Sequence, residues 1–249
     1  MYDFQKASMW KRISAFLFDF ILICIVIVGF ALLLSAILGF NGYSERFEAI
    51  QESYEKEYST DLEQAYDLLS DEERVKYDEA YNAFSKDEEA NYLYSMITNL
   101  ILIITIFSIL LGFVLMEFVI PLILKNGQTL GKKIFGIAVM RQDGVRLSPL
   151  LLFVRTILGK FTVETMVLLF ISVLVVFNLM GIIGIAIIAA ILIAQVVLLI
   201  VTKARTPLHD VLAHTVTVDF ASQMIFDSTE DMIAYKKRIH AEQVASEKN

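Results

Sequence analysis

The feature that most constrains this chain is a long apolar run close to its start. The run extends from Arg12 to Phe40, and after Arg12 its only formally charged residue is Asp19. An α-helix needs about 20 apolar residues to cross the hydrocarbon core of a bilayer. The run therefore predicts a membrane span, and every other segment has to lie in or beside a membrane.

Further apolar stretches predict three more spans. The chain has 249 residues and is 57% hydrophobic, against about 45–50% in soluble globular proteins. Met96 to Leu124 is long enough for a second span. Thr162 to Thr202 is too long for one helix, and Asn178 to Gly181 is its best break. The break predicts spans over Val163 to Phe177 and Ile182 to Val201.

The distribution of charge predicts the orientation in the membrane. Residues 41–94 contain 5 Lys and Arg against 16 Asp and Glu, whereas the remainder of the chain contains 16 against 12. Cytoplasmic loops carry the excess of basic residues. We therefore expect a multi-pass protein of the bacterial cell membrane, with both termini cytoplasmic and the acidic segment outside.

The expected fold is an all-α polytopic membrane protein with four transmembrane helices, an extracytoplasmic helical insertion and a small cytoplasmic β-hairpin or three-strand element. Its expected segments are a basic leader with span one (1–40), the acidic helical loop (41–94), span two (95–124), a cytoplasmic hairpin with an interfacial helix that begins at Pro149 (125–161), a hairpin of spans three and four (162–202) and a cytoplasmic tail (203–249).

Two serine patterns predict helix starts in the acidic loop. Ser70 and Ser85 are each followed three residues later by a glutamate, which is the pattern of a capping box. We expect helices over Glu45 to Leu68 and Asp71 to Phe84, and a third that begins at Lys86 and continues into span two.

A turn signal predicts the β element. Asp143-Gly144 lies between two short apolar runs, which favours a hairpin of Ile137–Arg141 with Val145–Leu147. Thr215 to Val218 is expected to add a strand to this hairpin.

Three motifs in order resemble the RDD family of membrane proteins, which is named for one arginine and two aspartates. They are Arg12 with Asp19, the sequence GQTLGKK over Gly127–Lys133 followed by Gly136-Ile137, and Arg205–Val218 with its Leu208-His209-Asp210. His214 stands where the family usually has a glycine. The resemblance covers most of the chain outside residues 41–94 and the tail. It implies the fold described above and transport of an unidentified ligand, with cation/proton antiport proposed for some members.

Asp19, with Arg12 and Glu117, is the leading candidate site. Arg12 and Asp19 share one helix face, about 10 Å apart along the axis. Asp19 lies about 10 Å and Glu117 about 12 Å inside the same side of the membrane. A carboxylate within a span usually faces a partner or a wet cavity. Two interpretations stay open: a carboxylate pair that binds a proton or cation, and a buried ion pair that locks spans one and two together.

Residues after span four form a second motif of structural or functional interest, consisting of Arg205, His209 and Asp210. Thr206 precedes a proline and is expected to cap a short helix. Asp210 is expected to bond backbone amides or a basic residue between spans two and three. Lys160 and Glu164 are expected to pair across one helical turn.

Several functions find no support in the sequence. Cys24 is the only cysteine, which excludes a disulfide within the chain. Gly127–Lys133 lacks the spacing of a nucleotide-binding P-loop. We expect no enzymatic activity, no cofactor, no resident metal and no nucleic-acid partner.

Two functions are open. The first is a transporter, or a component of one, that binds a proton or monovalent cation through Asp19 with Arg12 and Glu117. It is expected to act as a homo-oligomer, because four helices enclose little pathway. The second is a non-transporting scaffold that docks a protein partner through the acidic external helices, with Arg12 and Asp19 serving stability alone. Both place the chain in the lipid bilayer.

Overall fold

The fold is described by a computed structural model that covers residues 5–202 and 204–247. The first four residues, the last two and Lys203, where the expected tail begins, lie outside this part of the chain. Two compact units are present: residues 1–25 with 110–249, and residues 26–109. The elements in chain order are α1 (Met9–Ile37), α2 (Phe40–Tyr58), α3 (Asp71–Phe84), α4 (Glu88–Leu124), α5 (Leu130–Ile134), β1 (Ile137–Arg141), α6 (Pro149–Val176), α7 (Gly181–Val201), α8 (Leu208–Leu212), β2 (Thr215–Asp219) and α9 (Thr229–Glu247).

Four helices in the described part of the chain, α1, α4, α6 and α7, are long and apolar enough to cross a membrane. The four predicted apolar helices are therefore confirmed as candidate spans, although their bounds differ. The expected interfacial helix and span three form one continuous helix, α6. Ser148 caps its start by accepting a hydrogen bond from the Leu151 amide at 3.3 Å, and Pro149 occupies the first turn. No further proline follows before Val176, and the helix continues into the span.

The unit formed by residues 26–109 contains α2 and α3, which pack against each other. The capping box at Ser70 is confirmed, since its side chain and that of Glu73 each bond the other's backbone amide. The predicted box at Ser85 is wrong, because Asp87 caps α4 instead by accepting from the Ala90 amide at 2.9 Å. The first predicted helix is also too long, since α2 ends at Tyr58.

The described strands, β1 and β2, form an antiparallel sheet in which Ile137 is opposite Asp219 and Arg141 is opposite Thr215. The predicted strand at Thr215–Val218 is thus confirmed. The predicted hairpin is reduced to a single bridge between Met140 and Arg146. Its second arm turns away because the Arg146 amide donates to the Phe226 carbonyl at 2.8 Å.

Two helices of the other unit contain π-helical segments, Val114–Val119 in α4 and Val154–Met166 in α6, and these segments pack against each other. Hydrogen bonds in a π-helix join residues five apart. Threonine hydroxyls in α6 follow the same spacing, since Thr162 donates to the carbonyl of Ile157 at 2.8 Å. Side chains four to five residues apart therefore share a face of α6.

Candidate functional site

A group of buried and half-buried charged side chains lies where α1, α4, α5, α6 and α8 meet in the unit of residues 1–25 and 110–249. We call it the charge network. Its members are Asp19, Glu117, Lys132, Arg155, Lys160, Glu164, His209 and Asp210. In the sequence, most of these residues stand out only as charged residues within apolar helices.

Asp19 anchors α5 rather than pairing with Arg12. One carboxylate oxygen accepts a hydrogen bond from the Thr129 hydroxyl, and the other accepts from the Gly131 amide at 2.8 Å. Thr129 is also the N-cap of α5, since its hydroxyl accepts from the Lys132 amide at 3.3 Å. Asp19 thus adds a negative charge where a helix start favours one.

The glycine of this contact has no room for a side chain. A Cβ at position 131 would lie 2.5 Å from the Ala15 carbonyl oxygen and 2.9 Å from an Asp19 carboxylate oxygen. Ala15 and Asp19 are four residues apart and so lie on the same face of α1. The threonine and second glycine of the GQTLGKK motif therefore fit α5 against this face.

Arg12 contacts backbone carbonyls instead of a carboxylate. Its guanidinium donates to the carbonyls of Arg205 at 2.9 Å and Thr217 at 2.7 Å, and more weakly to that of Ala204. It therefore joins α1 to the segment after α7 and to β2. Arg205 contributes its carbonyl to this contact while its side chain is exposed, and its φ of 51° lies in the left-handed region.

Glu117 lies in the π-helical segment of α4 and is 7% exposed. One carboxylate oxygen, Oε1, accepts from the Lys160 ammonium at 2.6 Å. Its backbone carbonyl accepts from the Thr156 hydroxyl at 3.0 Å. The other carboxylate oxygen, Oε2, lies 4.0 Å from Nζ of Lys132, too far for a hydrogen bond.

Oε2 of Glu117 and Nζ of Lys132 are both buried and lack a hydrogen-bond partner among the described residues. Burial lowers the pKa of Lys132 to about 8, although Glu117 opposes this change. Lys132 therefore exchanges its proton near neutral pH more readily than an exposed lysine, whose pKa is about 10.4.

Arg155 and Asp210 form a buried ion pair, with 2% and 1% of their surfaces exposed. Nε of Arg155 lies 2.6 Å from Oδ1 of Asp210, which also accepts from the Thr215 hydroxyl at 2.7 Å. Oδ2 accepts from Thr217 at 3.2 Å. Burial opposes ionisation, but Arg155 holds the pKa of Asp210 far below its usual value. The predicted basic partner from the stretch between spans two and three is present, within α6.

His209 is held between two charged side chains of α6. Its Nδ1 lies 2.9 Å from a Glu164 carboxylate oxygen, and its Nε2 lies 3.1 Å from a nitrogen of Arg155. The predicted Lys160–Glu164 pair is not formed, because Lys160 bonds Glu117 while Glu164 bonds His209. The predicted Thr206 cap is also wrong, since α8 begins after Pro207 without a side-chain cap.

Sequence reasoning placed Asp19 and Glu117 at similar depth but missed what lies between them. Gly131 contacts Asp19, and the next residue, Lys132, faces Glu117. The two carboxylates are thus linked through α5, and Arg12 takes no part in the link. The GQTLGKK motif was the available signal, since it places a threonine, a glycine and two lysines in one short segment.

The formal charges of the network balance when Arg12 is counted with it. With Arg12 it contains four carboxylates and four cations, while burial lowers the pKa of His209 and favours the neutral ring. Unbalanced charge is costly at such depth. Within the part of the chain that the structure describes, no group of three or more His, Cys, Asp and Glu residues is arranged to hold a metal ion.

Comparison with known proteins identifies one relationship. A family model described as the RDD family matches residues 6–214, and this range includes Arg12, Asp19 and Asp210. No curated protein and no solved structure matches the chain. The match covers all four spans, β1 and α8, and it ends just before β2. The chain therefore belongs to the RDD family.

Proposed function

We propose that this membrane protein exchanges a proton for a monovalent cation at Glu117 and Lys132, as a transporter or as a component of one. The observation that carries the proposal is that Oε2 of Glu117 and the Lys132 ammonium lie buried 4.0 Å apart and both lack a hydrogen-bond partner among the described residues. Ionisable groups within a span that lack complete pairing often mark ion or proton pathways.

The exchange conserves charge. Lys132 releases one proton and becomes a neutral amine, and a monovalent cation takes the place of its charge beside Oε2 of Glu117. Reprotonation of Lys132 then displaces the cation. Lys160 keeps Oε1 of Glu117 engaged throughout, at 2.6 Å. A cation that entered without release of the proton would leave the buried network with excess charge, which favours exchange over simple uptake.

Asp19 and Arg12 support the site without binding the transported species. Both carboxylate oxygens of Asp19 are engaged by α5, and Arg12 is engaged by backbone carbonyls. Asp19 thereby positions α5, and α5 carries Lys132. This assignment transfers the ion-binding role expected for Asp19 to Glu117.

We favour exchange over the scaffold role because the acidic helices use many of their polar groups internally. The hydroxyls of Tyr54 and Tyr66 donate to Asp87 and Asp78, and that of Tyr77 donates to a backbone carbonyl. The proposal retains assembly as a homo-oligomer and cytoplasmic termini, both supported by the sequence arguments above.

The test is proton movement driven by Na⁺, K⁺ or Li⁺ in vesicles that contain the purified protein and a pH-sensitive dye. Glu117→Gln keeps the side-chain shape but removes the charge, so we expect the exchange rate to fall at least tenfold. Lys132→Met removes the exchanged proton and should abolish cation-driven proton release. The control Asp227→Asn alters an exposed ion pair and should have no effect.

Equal proton movement in the parent protein and in Glu117→Gln would contradict the proposal. So would a parent protein that is silent with all three cations while its thermal unfolding shows that it is folded.

A further inference from the structure

The surroundings of His209 fix the position of its proton. A guanidinium can donate hydrogen bonds but cannot accept them. Nε2 of His209, 3.1 Å from Arg155, must therefore accept, and the ring proton must lie on Nδ1, which faces Glu164 at 2.9 Å. The ring in this arrangement is neutral. The His209 backbone amide also donates to Glu164, at 2.9 Å, which holds the ring in place.

A second proton on His209 would disrupt the contact of the ring with Arg155 but not its contact with Glu164. An N–H at Nε2 would point at the N–H groups of Arg155, while the bond from Nδ1 to Glu164 would persist. The charged groups near the ring are Arg155, Lys160 and Glu164 from α6 and Asp210 from its own helix. Helices α6 and α8 are in close contact at this point, because a Cβ at Gly159 would lie 2.7 Å from the His209 Cβ. His209 therefore has little room to move away from α6.

The same segment of α6 holds Glu117. Arg155 bonds His209, the next residue, Thr156, donates to the Glu117 carbonyl at 3.0 Å, and Lys160 donates to the Glu117 carboxylate. A displacement of Arg155 would therefore act on the segment of α6 that supplies both contacts to Glu117. One short segment of α6 therefore contacts both His209 in α8 and Glu117 in α4.

We propose that His209 is a second proton-binding site whose protonation, by displacing the Arg155 guanidinium from the ring, suppresses exchange at Glu117. The inference rests on the proposed function and adds to it a regulatory proton that is not itself transported. It assigns to His209 a role that depends on its ring nitrogens and not only on its packing.

The direction of the pH effect follows from the neutral ring. Burial lowers the pKa of His209, and Arg155 acts in the same direction while Asp210 opposes it. An unfolded histidine titrates at about pH 6.5. Below that pH the unfolded chain binds more protons than the folded protein, so folding stability is retained above about pH 6.5 and falls as the pH decreases further. Exchange should decline over the same acidic range.

The test uses His209→Gln, whose side chain can donate to Glu164 and accept from Arg155 but cannot titrate in this range. In vesicles, we expect cation-driven proton movement by the parent protein to fall at least fivefold between pH 7 and pH 5. Because Lys132 also releases its proton less readily at acidic pH, some decline is expected in both proteins, but His209→Gln should decline much less steeply than the parent protein over this range. His214→Asn is the matched control, an exposed histidine five residues away that should keep the parent profile.

Histidine ¹⁵N NMR provides a reading that does not depend on transport. In a variant that carries His214→Asn and His240→Gln, the remaining ring should show a protonated Nδ1 and a bare Nε2 at pH 7. A proton on Nε2 at pH 7, or an acidic decline that is unchanged in His209→Gln, would overturn the inference about His209 and leave exchange at Glu117 intact. No proton movement by the parent protein at any pH would refute the exchange itself, and its regulation with it.

Discussion

Replacing Asp210 with alanine is expected to lower the free energy of unfolding by about 3–5 kcal/mol, the usual effect of removing one partner of a buried ion pair. Asp210 is 1% exposed and is the carboxylate that faces Arg155 at 2.6 Å. Its loss would leave a buried guanidinium with neutral His209 as its nearest remaining partner, and would deprive Thr215 and Thr217 of an acceptor. The measurement is equilibrium unfolding in detergent or lipid nanodiscs.

Two further variants test whether the loss of stability comes from leaving a buried charge without its partner. The double variant Arg155→Met with Asp210→Leu removes both charges and should recover most of the lost stability, because paired apolar replacements are often neutral. Asp227→Ala removes an exposed partner of Arg146 and should change stability by less than about 0.5 kcal/mol. Equal losses in Asp210→Ala and Asp227→Ala would show that the buried pair does not hold α8 against α6.

Replacing Gly131 with alanine is expected to destabilise the protein by about 2–4 kcal/mol, from overpacking together with a strained buried hydrogen bond. The new methyl group would lie 2.5 Å from the Ala15 carbonyl oxygen, which belongs to the backbone of α1 and cannot rotate away. The helices would have to separate, which would weaken the 2.8 Å bond from the Gly131 amide to Asp19. Thermal unfolding of the purified variant measures the effect.

A second glycine provides the control for this substitution. Gly42 lies within α2, and a Cβ there would meet nothing within 4 Å. Gly42→Ala should therefore leave the protein as stable as before or gain up to about 1 kcal/mol from helix propensity. If Gly131→Ala unfolds at the parent temperature, the close approach of α5 to α1 is not required for stability.

The spans were predictable because membrane insertion acts on local composition. The apolar run from Arg12 to Phe40 needs no distant partner to become helical and to cross a bilayer. Cap and strand signals were similarly local, as Ser70 and the strand at Thr215 show. Local patterns failed where two residues competed for one role, since Ser85 and Asp87 can both cap a helix and the structure uses Asp87.

The partners of the buried charges were not predictable from spacing. Asp19 bonds Thr129 and Gly131, more than 100 residues away, and Arg155 bonds Asp210 at a separation of 55. Proximity along α1 suggested Arg12 for Asp19, but three backbone carbonyls compete for that guanidinium. In α6, the spacing of four suggested a pair of Lys160 with Glu164, but Glu117 and His209 from other helices are bonded to these side chains instead.

The most direct test of exchange at Glu117 is the titration of Lys132 itself, followed by lysine ¹⁵N NMR in nanodiscs and assigned from the signal lost in Lys132→Met. We expect the parent protein to show a midpoint near pH 8, where burial places the Lys132 pKa. Adding Na⁺, K⁺ or Li⁺ should move the Lys132 midpoint to lower pH, and this cation effect should disappear in Glu117→Gln. A Lys132 that titrates above pH 10 and ignores all three cations would contradict the account.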